Sequence, residues 1–173
     1  MLAAAFVALP LLATGLAAQA SDSVCAPAKA PMSHGDAADR TGIQDLLDTY
    51  TQSVSTGDSA RFESQLLDTR IPFFGIGGAL ERSFKPELRS VQDYAGFRRA
   101  VFGSGRKFTQ KFYDVVMDQD GDLAQVSLKF KTLQQGSDGG GCGWKVLHLL
   151  KVGGHWKIAS EFYTAYAFEA SDW

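Results

Sequence analysis

His148 is the residue in this 173-residue chain best suited to acid–base chemistry. It stands between Val146 and Leu150 in a stretch of alternating character, Trp144-Lys-Val-Leu-His-Leu-Leu-Lys-Val152. In the functional reading an imidazole there acts as acid or base. Tyr50 or Tyr113 could donate a phenolic hydrogen bond beside it, as a developing oxyanion requires, and Ser160 could line the same pocket. The plainer alternative is a core histidine whose nitrogens are satisfied by Ser160 and a tyrosine hydroxyl. Phe74, Phe97, Phe130 and Trp144 would close apolar walls around these groups, although core packing explains them almost as well. Because the 12% aromatic content falls mostly here, a small apolar or aromatic ligand fits better than a charged one.

Other chemistries lack their residues. His34, His148 and His155 show no convergent spacing, so no metal or cofactor is expected. Asp118-Gln-Asp-Gly-Asp122 resembles part of a calcium loop but has no distal glutamate. The glycine-rich run Gly136–Gly143 lacks the Lys-Ser/Thr of a phosphate-binding loop, and no serine lies in a Gly-x-Ser-x-Gly turn. A net charge of −2 with scattered Lys and Arg gives no basis for binding nucleic acid or an anionic membrane surface.

The chain suits one domain with a substantial core. Residues 1–20 form an uncharged apolar segment ending Ala18-Gln19-Ala20, the small-x-small pattern of a cleaved export signal. No Lys or Arg precedes the apolar run, and the run is too short for a comfortable membrane span. The mature protein is therefore expected to be periplasmic or secreted, with no span left after cleavage. Residues 21–38 read as a flexible linker, 39–167 as the domain and 168–173 as a tail. In an oxidising compartment Cys25 and Cys142 could form a disulfide, and two unpaired thiols in loops is the equal alternative.

Thr41-Gly-Ile-Gln44 has the form of a capping box, followed by an apolar stripe of Ile43, Leu46, Leu47, Tyr50 and Val54. Gly57 ends this helix, and Asp58 can cap a short second one carrying Phe62 and Leu66. A short strand is expected around Pro72-Phe-Phe-Gly-Ile76, and a third helix from Ser90 with Val91, Tyr94, Phe97 and Val101 inward. The pattern then shifts to period two. An Asp120-Gly121 turn would pair Met117 with Ala124, Val115 with Val126 and Tyr113 with Leu128. For the next hairpin, a three-residue loop Val152–Gly154 with a bulge at Gly154 keeps most apolar side chains on one face. That register puts Trp144, Val146, His148, Leu150, Trp156, Ile158, Ser160 and Phe162 inside, with Lys145 and Glu161 paired outside. Leu147, Leu149, Ala159 and Tyr163 then form an outer apolar strip suited to a sheet-to-sheet homodimer.

Ile43-x-x-Leu-Leu-x-x-Tyr50, followed by Gly57-Asp58, and His155-Trp-Lys-Ile-Ala-Ser160 near the end, resemble the nuclear transport factor 2-like superfamily. This cone-shaped fold includes SnoaL-like polyketide cyclases, steroid isomerases and scytalone dehydratase. The resemblance spans about Asp39 to Tyr166 and implies an α+β domain, a curved antiparallel sheet wrapped around N-terminal helices, with a pocket for small apolar ligands. It also implies back-to-back dimers. By the same alignment Tyr50 takes the place of the steroid isomerases' oxyanion-donating tyrosine. Their general base falls on Phe74 and their second oxyanion donor near Lys145, so two of those three groups are missing.

With no second ionisable group expected on the inner face, ligand binding without catalysis is the leading expectation. An isomerase, dehydratase or cyclase using His148 as acid or base and Tyr50 as donor is the alternative. A structural dimerisation module is the third.

Overall fold

A computed structural model describes residues 36–76, 93–137 and 139–169. The export segment, most of the linker with Cys25, the start expected for the third helix at Ser90 and the last residues lie outside them.

Helix α1 runs Ala37–Thr56, and its N-cap is Asp36, whose carboxylate accepts from the Asp39 N–H at 2.8 Å. Thr41 therefore lies inside the helix, where its hydroxyl donates to the Ala37 carbonyl, and the expected capping box does not form. Gly57 ends α1 in the left-handed conformation at φ 75°, as a glycine at this position should. Asp58 caps the short α2, Ser59–Glu63, through the Arg61 N–H. Asp93 caps α3, Tyr94–Val101, whose buried side includes Tyr94 and Phe97.

Among the described residues six strands form one sheet: β1 Phe73–Ile76, β2 Phe108–Asp120, β3 Leu123–Gln134, β4 Gly139–Val152, β5 His155–Thr164 and β6 Tyr166–Glu169. The order is β1-β5-β4-β3-β2, with β6 pairing along the first residues of β4. The sheet is mixed rather than purely antiparallel, because β1 runs parallel to β5. A parallel bridge from Leu66 to Ile158 extends that seam toward α2.

Two bulges set which residues face α1. In β2 the register shifts between Tyr113 and Val116, at Asp114, which takes φ 49°. In β5 it shifts at Ala159, so that Leu149 pairs with Ile158 while His148 pairs with Ser160. A bulge inserts one unpaired residue, so inward and outward positions exchange across it and the strand bends.

Both hairpin expectations are corrected. The first turn is Gly121-Asp122, since Asp120 pairs with Leu123 and Met117 with Val126. This slip of two leaves Met117, Val115 and Val126 on the core side, but the Asp114 bulge turns Tyr113 outward and Phe112 inward. The second turn is the two-residue Gly153-Gly154, with φ 59° and 80°, because Val152 pairs with His155. Successive positive φ angles suit the right-handed twist of a hairpin and come cheaply to Gly-Gly. The extra residue sits mid-strand at Ala159 rather than in the loop.

The inner face of β4 is therefore Lys145, Leu147 and Leu149, all buried, and β5 contributes Trp156, Ile158 and then Glu161. These pack on Ile43, Leu46, Leu47, Tyr50 and Val54 of α1. Among the described residues no helix is long and apolar enough to cross a membrane.

Candidate functional site

A helix stripe and two strands bring Tyr50, Lys145 and Glu161 together inside the cone. Tyr50 is on the buried side of α1, Lys145 at the middle of β4, and Glu161 two residues beyond the Ala159 bulge. Without the bulge Glu161 would face out. Side-chain exposure is 2% for Lys145 and 0% for Glu161. Lys145 Nζ lies 2.6 Å from Glu161 Oε1 and donates at 2.5 Å to the Tyr50 hydroxyl, which itself donates to Glu161 Oε1 at 2.9 Å.

The enclosure is aromatic. Lys145 Nζ lies 4.3 Å from the Tyr50 ring centre and between 5.2 and 5.5 Å from those of Phe130, Tyr163 and Phe112. Cation–π attraction replaces part of the lost hydration. Beyond Tyr50, Phe62 makes an edge contact at 4.6 Å and continues into Tyr94, Phe97 and Phe102.

Desolvation dominates the proton affinities. Burial pulls the Lys145 amine below its ordinary value, against the attraction of Glu161. It pushes the Glu161 carboxyl up, against Lys145 and Tyr50. The Tyr50 phenol is held well above the usual range by burial and the nearby carboxylate. All three shifts favour neutral groups. Glu161 Oε2 is buried and has no hydrogen-bond partner. A buried acceptor left unmade costs about 1–3 kcal/mol.

A separate cavity of about 300 Å³ lies between α1 and β2, lined by Leu47, Thr51, Gln110, Phe112, Tyr113 and Val115 among others. Phe112 belongs to both places, since its ring also walls Lys145. At the far end of the sheet Asp39 ties α1 down, accepting from Lys151 at 2.6 Å, Gln119 at 2.8 Å and Trp156 at 3.2 Å.

The residues singled out from sequence divide between the two faces. Tyr50, Phe97 and Phe130 are buried in the interior. Tyr113 points away from it, to the rim of the α1–β2 cavity. Phe74, Trp144, His148 and Ser160 are on the outer side of the sheet, where Trp144 is 54% exposed. His148 Nδ1 and Ser160 Oγ share a hydrogen bond of 2.7 Å, so the plainer reading found the right partner on the wrong face. Lys145 and Glu161, expected outside, are buried in the interior, and Leu147 and Leu149 are core rather than outer strip. Only the favourable Lys145–Glu161 pairing hinted at this in the sequence. Cys142 lies half-buried on β4 across from Tyr166.

No family model matches the sequence, and no curated protein does at useful similarity. Solved structures do. A protein of unknown function with a cystatin-like fold from Nostoc punctiforme PCC 73102 superposes with a TM-score of 0.58 at 10% identity, over 76% of this chain and 93% of that one. An NTF2-like protein of unknown function from Shewanella baltica OS155 gives 0.54 at 16%, over 75% and 94%. A candidate scytalone dehydratase from Novosphingobium aromaticivorans DSM 12444 gives 0.60 at 12%, over 76% and 87%. At these identities the likeness is one of architecture. The chain has the nuclear transport factor 2-like fold.

Proposed function

We propose that this domain binds a compact, mostly apolar or aromatic molecule inside the cone and anchors it by one hydrogen-bond donor placed on Glu161. The observation that carries this is Glu161 Oε2, a buried carboxylate oxygen without a donor, on the residue whose partner Lys145 is walled by aromatic rings. A ligand hydroxyl or N–H would satisfy it, while Phe62, Phe97 and Phe130 supply apolar contact. Thermal-shift titration with toluene, p-cresol and 4-methylanisole tests the idea. Only p-cresol should raise the melting temperature appreciably, and Glu161→Gln should blunt that preference. Equal shifts from all three compounds, or none, would overturn the proposal.

A second reading, a proton-transfer enzyme of the isomerase, dehydratase or cyclase kind, draws support from the same trio. A carboxylate of raised proton affinity beside a phenolic donor is the combination such chemistry requires, with Glu161 in the role considered for His148. Exchange of the α-protons of cyclohexanone in deuterated buffer should then be faster with wild type than with Glu161→Gln.

Two further proposals concern assembly and location. Trp144, Phe162, Phe74 and Ile76 are exposed on the outer sheet face, an apolar strip suited to back-to-back homodimers. Trp144→Glu/Phe162→Glu should shift light scattering from dimer to monomer, and an unchanged mass would refute this interface. Export rests on residues 1–20, and a native N-terminus at Ser21 would support it where Met1 would refute it. A Cys25–Cys142 bridge is testable by intact mass with and without reductant.

A further inference from the structure

We propose that Lys145 is a carbonyl-capturing amine, forming an imine with a small apolar aldehyde or ketone while Glu161 and Tyr50 move the protons. The inference rests on the reading that the cone interior admits a small ligand. It starts from geometry: one primary amine, one carboxylate and one phenol within hydrogen-bond reach of each other in a water-excluding aromatic box. Solvent-facing lysines are strongly hydrated ammonium ions and poor nucleophiles. A lysine desolvated among apolar rings is the type that attacks carbonyl carbon, and burial lowers the proton affinity of this one.

A structural ion pair needs only the two charges and their remaining hydrogen bonds. Here the phenol lies against both partners, and one carboxylate oxygen stays unbound. Those are the two features that imine formation uses. Lys145 gives a proton to Glu161 and attacks as the neutral amine. The C–N bond forms as the carbonyl π bond breaks, Tyr50 protonates the oxygen, and the nitrogen returns a proton to Tyr50. The Glu161 carboxyl then protonates the hydroxyl, which leaves as water. The product is an iminium on Lys145 facing a Glu161 carboxylate, so the charge pair is regenerated. Amine plus carbonyl gives iminium plus one water, with no oxidant or reductant.

Phe112 is the ring common to both places. Phe112 borders Lys145 Nζ at 5.5 Å and also lines the α1–β2 cavity, so rotation of this ring would connect the two.

The test is reductive trapping of the full chain with benzaldehyde and sodium cyanoborohydride, with sites mapped by peptide mass spectrometry. Lys145 should label measurably faster than exposed lysines such as Lys129, because burial lowers its proton affinity and leaves more of the amine neutral. Phe112→Ala should label faster still. Lys145→Met/Glu161→Leu should lose one adduct in intact mass while melting cooperatively. Labelling confined to exposed lysines in both wild type and Phe112→Ala would overturn the inference. If p-cresol still stabilises the protein in that case, ligand binding stands and only the covalent step is refuted; absence of both sinks both.

Discussion

Replacing the members of the interior trio singly and together should give an ordering opposite to simple additivity. Lys145→Met leaves Glu161 without its cation, and Glu161→Leu leaves Lys145 without its anion, both at sites with almost no solvent exposure. Breaking one side of such a pair costs about 3–5 kcal/mol, so additive effects would total about 6–10 kcal/mol. The double variant Lys145→Met/Glu161→Leu removes both charges and puts apolar groups of similar size against Phe112, Phe130 and Tyr163. Replacing buried ion pairs in this way is often neutral or stabilising. What persists is the Tyr50 hydroxyl, which loses both partners, at about 1–3 kcal/mol. Adding Tyr50→Phe should recover most of that. Urea denaturation monitored by circular dichroism should rank the singles least stable, the double intermediate and the triple near wild type.

The singles should also differ in pH dependence. In Lys145→Met the Glu161 carboxyl is raised further, so the folded state holds a proton that the unfolded chain has released. Stability then falls as pH rises above the ordinary value of 4.5 toward the raised one. In Glu161→Leu the Lys145 amine is lowered, so the unfolded chain binds the extra proton. Stability then rises as pH climbs from the lowered value toward 10.5. Singles milder than the double, or slopes of the same sign, would refute the account of the trio as a desolvated, mutually dependent set.

Gly75 has no room for a side chain, since a Cβ there would overlap the Tyr163 ring. Gly75→Ala should cost about 1–3 kcal/mol by overpacking, read as a lowered denaturation midpoint, and an unchanged midpoint would contradict this packing. Asp39 is held below its ordinary 3.8 chiefly by the Lys151 hydrogen bond, with Gln119 and Trp156 adding to it. Its contribution is therefore present above that value and lost as pH falls through the lowered one. The melting-temperature gap between wild type and Asp39→Asn should be constant near neutrality and close only below pH 3.8; a gap that closes between pH 5 and 7 would assign the effect elsewhere.

By itself the sequence determined the α+β class and the order of helices and strands. The α1 stripe from Ile43 to Val54, the stops at Gly57 and Asp58 and the period-two stretch after Lys107 are local signals, set by helix and strand periodicity and by glycine and aspartate backbone chemistry. Those signals act over a few residues, so they survived into the fold. The site depended on register, which is not local. Along Trp144–Val152 the even positions carry Trp, Val, His and Leu while the odd ones carry two leucines flanked by lysines, so counting apolar groups selects the even face. The fold buries the odd face, because the mid-strand bulge at Ala159 brings Glu161 inside to neutralise Lys145 and α1 presents Tyr50 to both. A buried lysine is tolerable only with partners from other elements. No window on one strand contains them, and so only the tertiary structure could decide which residues the interior holds.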